Sequence, residues 1–202
     1  NKQPAGAINQ INEALTLDWR WRRQIVDDPL NIRRGDVTEI RIGGGSQQLL
    51  STQDFIRTYA RHQSWWPVGS QDVIFLRAEI GYTLASSRFG IPQEYLFRAG
   101  GILSVRGYDF KSIGVQEGNA IVGGRAMATG TIEYTRWITH QWGAAAFADI
   151  GSAADSWQKM HPFIGYGGGV RWRSPAGPIA LDLARSHETG TLRFHFSMAV
   201  AF

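Results

Sequence analysis

From Leu192 to Phe202 the chain alternates without a break. Leu192, Phe194, Phe196, Met198, Val200 and Phe202 share one parity, and Arg193, His195, Ser197, Ala199 and Ala201 the other. A period of two is the mark of a β-strand, whose successive side chains point to opposite faces. A slip of one residue would exchange the faces entirely, so a strand this polarised tolerates only one orientation. One such strand would suit a soluble sandwich as well as a barrel. The pattern recurs along the whole chain, and the recurrence limits the choice.

Residues 1 to 13 are polar and contain Pro4 and Gly6, which reads as the end of a loop. From Thr16 onward, Leu17, Trp19 and Trp21 alternate with Asp18, Arg20 and Arg22. After a turn at Asp27 to Gly35, Ile40 and Ile42 oppose Glu39 and Arg41, and Gly43, Gly44 and Gly45 are expected to end that strand. A third strand, about Phe55 to Trp66, turns Ile56, Thr58 and Ala60 one way and Arg57, Tyr59 and Arg61 the other. The fourth, about Val73 to Tyr82, sets Ile74, Leu76, Ala78 and Ile80 against Arg77 and Glu79. Later strands are expected at Gly123 to Ile138, Trp142 to Ile150, Gly165 to Arg173 and Pro178 to Ala184. Their charged faces carry Glu133, Asp149, Arg171, Arg173 and Asp182. Pro29, Pro67, Pro92, Pro162, Pro175 and Pro178 are expected in turns, loops or at a strand's first residue.

Roughly nine strands near the 9 to 11 residues that span a bilayer, each with one apolar and one charged face, point to a transmembrane antiparallel β-barrel. Composition agrees. Glycine is frequent at 24 residues and tryptophan at 8, only 19% of residues are charged, and a mean hydropathy of −0.23 is compatible with full insertion when only alternate residues face lipid. No run of about 18 apolar residues exists for a spanning helix. There is no cysteine, which excludes a disulfide scaffold and thiol or zinc-thiolate chemistry. A net charge of +4 spread over many strands gives no nucleic-acid footprint. Trp19, Trp66, Trp142 and Trp172 suit an interfacial girdle.

Between a strand ending near Ala85 and another beginning near Ile121 lies a connection of roughly 35 residues, about Ser86 to Ala120, far longer than a hairpin loop and hence expected to be functional. It carries Phe97, Arg98, Ala99, Gly100 and Gly101, then Val105, Arg106, Gly107 and Tyr108. These residues, with Phe147, Ala148, Asp149, Ile150 and Gly151 and the terminal Phe202, resemble the conserved motifs of the outer-membrane assembly barrels, the superfamily of BamA, TamA and the two-partner-secretion transporters. F-R-A-G-G ahead of V-R-G-Y is most similar to the TamA branch. The resemblance covers nearly the whole chain. It implies about the last nine of some 16 strands, a loop folded back into the lumen, and an arginine that meets acidic residues on the inner wall. Arg106 is then expected to pair with Asp149 and Glu133 beside Phe147, with Gly107 permitting close approach and Tyr108 wedged against the wall.

The resemblance also implies a function without catalysis or cofactor. The expected activity is insertion or export of unfolded outer-membrane clients through a barrel seam, using Phe194, Phe196, Met198, Val200 and Phe202 as the final strand's signal. Its expected setting is the bacterial outer-membrane bilayer, with the C-terminus and short turns periplasmic and an inner-membrane or periplasmic partner reached through domains outside this chain. The start at Asn1, without a signal peptide, is read as a mature or truncated piece. Other readings are a dedicated secretion pore, an outer-membrane enzyme seeded by His187 and Glu188, and a soluble sandwich. Chemistry elsewhere is sparse. His187 and Glu188 do not extend to H-E-x-x-H, no G-x-S-x-G occurs, and His62, His140, His161, His187 and His195 show no metal-ligand spacing. Gly165 to Gly169 lacks the following helix of a phosphate loop and is expected to admit a close neighbour or allow curvature.

Overall fold

The computed structural model describes residues 15–49, 51–175 and 177–198. The readings made for residues 1 to 13, Val200 and Phe202 lie outside these residues. Nine strands form one antiparallel sheet: β1 (Thr16–Val26), β2 (Gly35–Gly45), β3 (Phe55–Val68), β4 (Asp72–Leu84), β7 (Ala126–Trp137), β8 (Trp142–Ala154), β9 (Phe163–Ser174), β10 (Gly177–Ser186) and β11 (Leu192–Met198). Each pairs with its neighbours in that order, leaving β1 and β11 as the edges. Between β4 and β7 a small hairpin, β5 (Val115–Glu117) and β6 (Ala120–Val122), stands apart from the sheet. No α-helix occurs among the described residues.

The two faces are reversed relative to a soluble protein. Large apolar side chains lie outward and exposed, with Ile132 at 52%, Phe194 at 77% and Phe196 at 64%. Charged ones lie inward and buried, with Glu39 at 0% and Asp149 and Asp182 at 1% each. A sandwich in water would pack its apolar faces together, so this arrangement places the outer face in hydrocarbon. The inner face is held by cross-strand charge pairing. Glu39 of β2 meets Arg20 of β1, Arg41 and, 2.8 Å away, Arg61 of β3. Outside, Trp142 and Trp172, directly paired on β8 and β9, stack with ring centroids 5.3 Å apart. The fold is the wall of a transmembrane β-barrel.

Several boundaries differ from the sequence reading, each for a local reason. The glycines at 43 to 45 do end β2, as its last three paired residues. Gly43 faces Asp18 across the ladder, and its missing side chain leaves room for the Asp18 carboxylate and the Tyr95 ring. β3 runs through Pro67 to Val68, a strand end being where a missing N–H is tolerated. β8 continues past Ile150 through Gly151, Ser152, Ala153 and Ala154, which pair with the start of β7. Small residues carry too little hydropathy contrast to show a period. β7 enters the sheet only at Ala126, because Gly124 exchanges both backbone hydrogen bonds with Phe97 of the loop (2.8 and 2.9 Å) and Val122 pairs with Val115.

The hydrophobic core lies between the loop and the inner face of the wall. Phe97, Ala99, Val105, Tyr108 and Ile113 of the connection pack with Met127 of β7 and Ala153 of β8, flanked by Tyr59 and Phe163. A second cluster joins Ile91, Tyr95 and Leu96 to Phe55. Residues 85–125 are therefore a packed layer against the sheet, held internally by the paired bonds between Ala99 and Ile113 (2.8 and 2.9 Å).

Candidate functional site

The loop presents Arg106 to the wall through a tight turn. Gly101 N–H donates to the Val105 carbonyl (3.0 Å), and Gly100 N–H to the Ser104 hydroxyl (2.7 Å). Val105, fully buried, seats the turn against Gly151, whose position has no room for a side chain beside it. The next residue then faces β7, β8 and β10 at once.

Arg106 uses its planar fork fully. Nε and Nη2 donate to the two oxygens of Asp149 at 2.8 and 3.0 Å, and its backbone N–H adds a third bond to the same carboxylate at 3.0 Å. Nη1 donates to Glu133 at 2.7 Å and to Asp182 at 3.0 Å. The guanidinium carbon lies 3.4 Å from the centre of the Phe147 ring, so the cation is also stacked on an aromatic face. Arg171 of β9 closes the network, bridging Glu133 (Nε, 2.9 Å) and Asp182. Burial by itself would depress the Arg106 pKa. The hydrogen bonds and charge of Asp149, joined by those of Glu133, outweigh burial and raise it, so the cation persists at any accessible pH.

The strands supply this geometry by alternation and register. Glu133 of β7 lies opposite Phe147 of β8, with Asp149 two residues further along β8, so these three inward residues converge on the guanidinium. The glycine run of β9 forms the floor. A methyl group at Gly165 would overlap the Arg106 carbonyl oxygen, one at Gly167 would press on Phe147, and one at Gly169 on Asp182. The close neighbour that this run admits is thus the arginine cluster itself.

Gly107 takes φ +91°, a region that disfavours any side chain, and a Cβ there would sit 2.8 Å from the Ser186 nitrogen. Its N–H donates to Nε2 of His195 on β11 (2.9 Å). An acceptor nitrogen carries no proton, so the ring in this arrangement is the neutral Nδ1–H tautomer. Tyr108 packs edge-on against Phe163 with centroids 5.6 Å apart, and its hydroxyl donates to the Ile164 carbonyl (3.2 Å). Asp109 pairs with Arg193, also on β11. At the other end of the loop, the Tyr95 hydroxyl meets Asp18 (2.6 Å) and Thr16 (2.7 Å) of β1. Burial, helped by the hydrogen bond to Asp18, raises the pKa of this phenol and keeps it a neutral donor. The loop thereby touches both edge strands.

All the residues singled out in the sequence from Val105 to Tyr108, with Glu133, Phe147 and Asp149, converge here. Phe194, Phe196 and Met198 do not; they lie on the outer face of β11, exposed. Sequence reasoning missed Asp182 as a third carboxylate, Arg171 as a second cation and His195 as the acceptor for Gly107. Alternation had turned Asp182 and Arg171 inward, and their depth became readable only with the strand registers. Among the described residues no group of three or more His, Asp or Glu side chains is placed to hold a metal ion.

Apolar-out, charged-in strands and a long loop locked onto the inner face by a buried arginine define a membrane barrel with an internally anchored loop. Comparison with known proteins specifies the family. The Omp85 superfamily domain matches residues 8–202, and the chain belongs to that superfamily. It is 29% identical to the outer membrane protein assembly factor BamA of Nitratidesulfovibrio vulgaris over 91% of its own length and 25% of that protein. Its fold is similar to the crystal structure of BamA from Haemophilus ducreyi lacking POTRA domains 1–3, with a TM-score of 0.76 and 18% identity over 90% of this chain and 41% of that one. The chain thus spans about a quarter of the curated relative.

Proposed function

We propose that this chain is the loop-bearing wall of an outer-membrane protein assembly factor, and that the Arg106 cluster holds the loop inside the barrel while client strands are inserted. The observation that carries this reading is the commitment of one loop arginine to carboxylates from three different strands. A surface loop has no use for such an anchor. An internal loop that must keep its position while the wall around it opens does. Family membership and the similarity to assembly factors support the same reading.

In this mechanism no covalent chemistry is needed. A barrel whose terminal strands pair weakly can part at the seam and offer free N–H and C=O groups to an incoming strand, sparing them exposure to lipid. The cluster keeps the inner surface rigid during that exchange. The short turns and the C-terminus would face the periplasm and the long loop would enter from outside. The F-R-A-G-G run before V-R-G-Y favours the TamA branch, with autotransporter-type clients. The test is reconstitution into liposomes with an unfolded barrel client and protease protection as readout. Arg106→Ala protein that inserts the client at the unaltered rate would refute the role assigned to the anchor.

A further inference from the structure

Beneath the anchored loop, at the end of the sheet that carries the short turns, lies a cavity of about 410 Å³. The loop residues Ile102 and Leu103 roof it, the β1–β2 turn contributes Leu30, and Phe75 and Trp137 form apolar walls. Into this apolar space project four arginines against two carboxylates: Arg77, Arg106, Arg171 and Arg173 with Glu133 and Asp182. Four of the six, Arg106, Arg171, Glu133 and Asp182, are saturated by one another in the Arg106 network and the Arg171 bridge, with Arg106 also held by Asp149 outside the cavity. Arg173 is different.

The Arg173 guanidinium carbon lies 3.5 Å above the Trp137 ring, and Nη1 donates to the His140 carbonyl at 3.0 Å. Its Nε and Nη2 are buried and have no acceptor, and no carboxylate of the described residues forms an ion pair with it. Arg77 adds a second buried Nε without a hydrogen-bond acceptor, its neighbour Glu79 standing 3.5 Å away. A fork stacked on an indole is pre-oriented, so its free edge presents two adjacent donors at fixed spacing. That is the complement of a carboxylate.

We propose that this cavity is a binding site for a carboxylate borne on an apolar body, with Arg173 as its anchor. Volume and lining support the class. Pockets of this size enclose small ligands or a few residues, and apolar walls with a small number of placed polar groups are their usual composition. The chemistry is shared by two sources, the free carboxyl end of an apolar peptide and a fatty acid. Nothing in the proposal depends on the assembly reading, because it concerns occupancy of the cavity alone.

The test is calorimetric titration of the protein in nanodiscs. The probes are 6-phenylhexanoate and a phenylalanine-ending tripeptide, each compared with its own amide. The acid is expected to bind about tenfold or more tightly than the amide, the worth of a charge-assisted bond. Arg173→Gln should erase that preference, and Arg173→Lys should keep part of it, which separates loss of charge from loss of fold. Outward-facing Arg136→Gln should change nothing. A tripeptide preferred over the phenyl acid identifies the peptide source, and the reverse the fatty acid. Equal binding of acid and amide, or an acid preference that survives Arg173→Gln, would overturn the site.

Discussion

Arg106 and Asp149 are joined by three hydrogen bonds of 2.8 to 3.0 Å, two from the guanidinium and one from the arginine's own backbone N–H. The two side chains are 5% and 0% exposed. A pair so enclosed gains little from being charged, since both groups were desolvated to form it, but breaking it leaves an uncompensated charge. Its value is therefore in fixing where the loop sits.

Arg106→Ala is expected to destabilise the loop-docked state by about 3 to 5 kcal/mol, leaving Glu133 and Asp182 with Arg171 and taking from Asp149 its ion-pair partner. Arg106→Lys should recover only part, because an ammonium cannot supply two parallel bonds and the Phe147 stack. In a double-mutant cycle, Arg106→Ala with Asp149→Ala should cost less than the two single effects added. Denaturation followed by gel mobility of the barrel measures all three. Strict additivity would mean that the two residues are not coupled.

The carboxylates are expected to rank. Asp149→Asn loses a bidentate partner and should cost more than Asp182→Asn, which touches Arg106 through one bond and leaves Arg171 still held by Glu133. The difference should be about 1.5 to 3 kcal/mol, the worth of one additional charge-assisted bond. Equal losses in the same denaturation assay would show that the network shares its charge evenly.

Gly165→Ala should displace the loop, since the new methyl group overlaps the Arg106 carbonyl oxygen. Overpacking of this kind costs about 1 to 3 kcal/mol. Gly130→Ala, outward and with its nearest neighbour 3.4 Å away, is the matched control and should be nearly neutral. Limited proteolysis within 85–125 reports the displacement: faster cleavage for Gly165→Ala, an unaltered rate for Gly130→Ala.

Tyr95→Phe removes the hydroxyl that meets Asp18 and Thr16, and with it about 1 to 3 kcal/mol of restraint on β1. Faster amide exchange in β1, with no change in β9, is the expected result by hydrogen-exchange mass spectrometry. Uniform exchange across both strands would mean that the loop does not hold this edge.

The natural chain has no cysteine, so single-cysteine labelling reads the faces directly. In membranes, cysteines at Leu181, Phe196 and Met198 should resist a water-soluble maleimide, while one at Ser197, which lines the inner cavity, should react. Equal labelling of both sets would contradict the register.

Alternation alone decided much of this protein. Glu133, Asp149, Arg171 and Asp182 could be turned inward and Phe194 and Phe196 outward from parity, because a strand offers only two faces and the solvent on each differs. The length of the connection after β4, with Val105 to Tyr108 near its middle, marked the functional segment for the same chain-local reason. What parity could not state is depth. Asp182 reaches Arg106 because the β9–β10 ladder pairs it with Gly169, and His195 reaches Gly107 because β11 continues the ladder by one more strand, facts that depend on hydrogen bonds between segments far apart in sequence. The glycines at 43 to 45 close β2 and those at 165 to 169 lie within β9, but the groups that need their missing side chains, the Asp18 carboxylate with Tyr95 and the backbone of Arg106, arrive from elsewhere in the chain. Face is written locally by each residue's neighbours; contact across the barrel exists only once register and the path of the loop are fixed together.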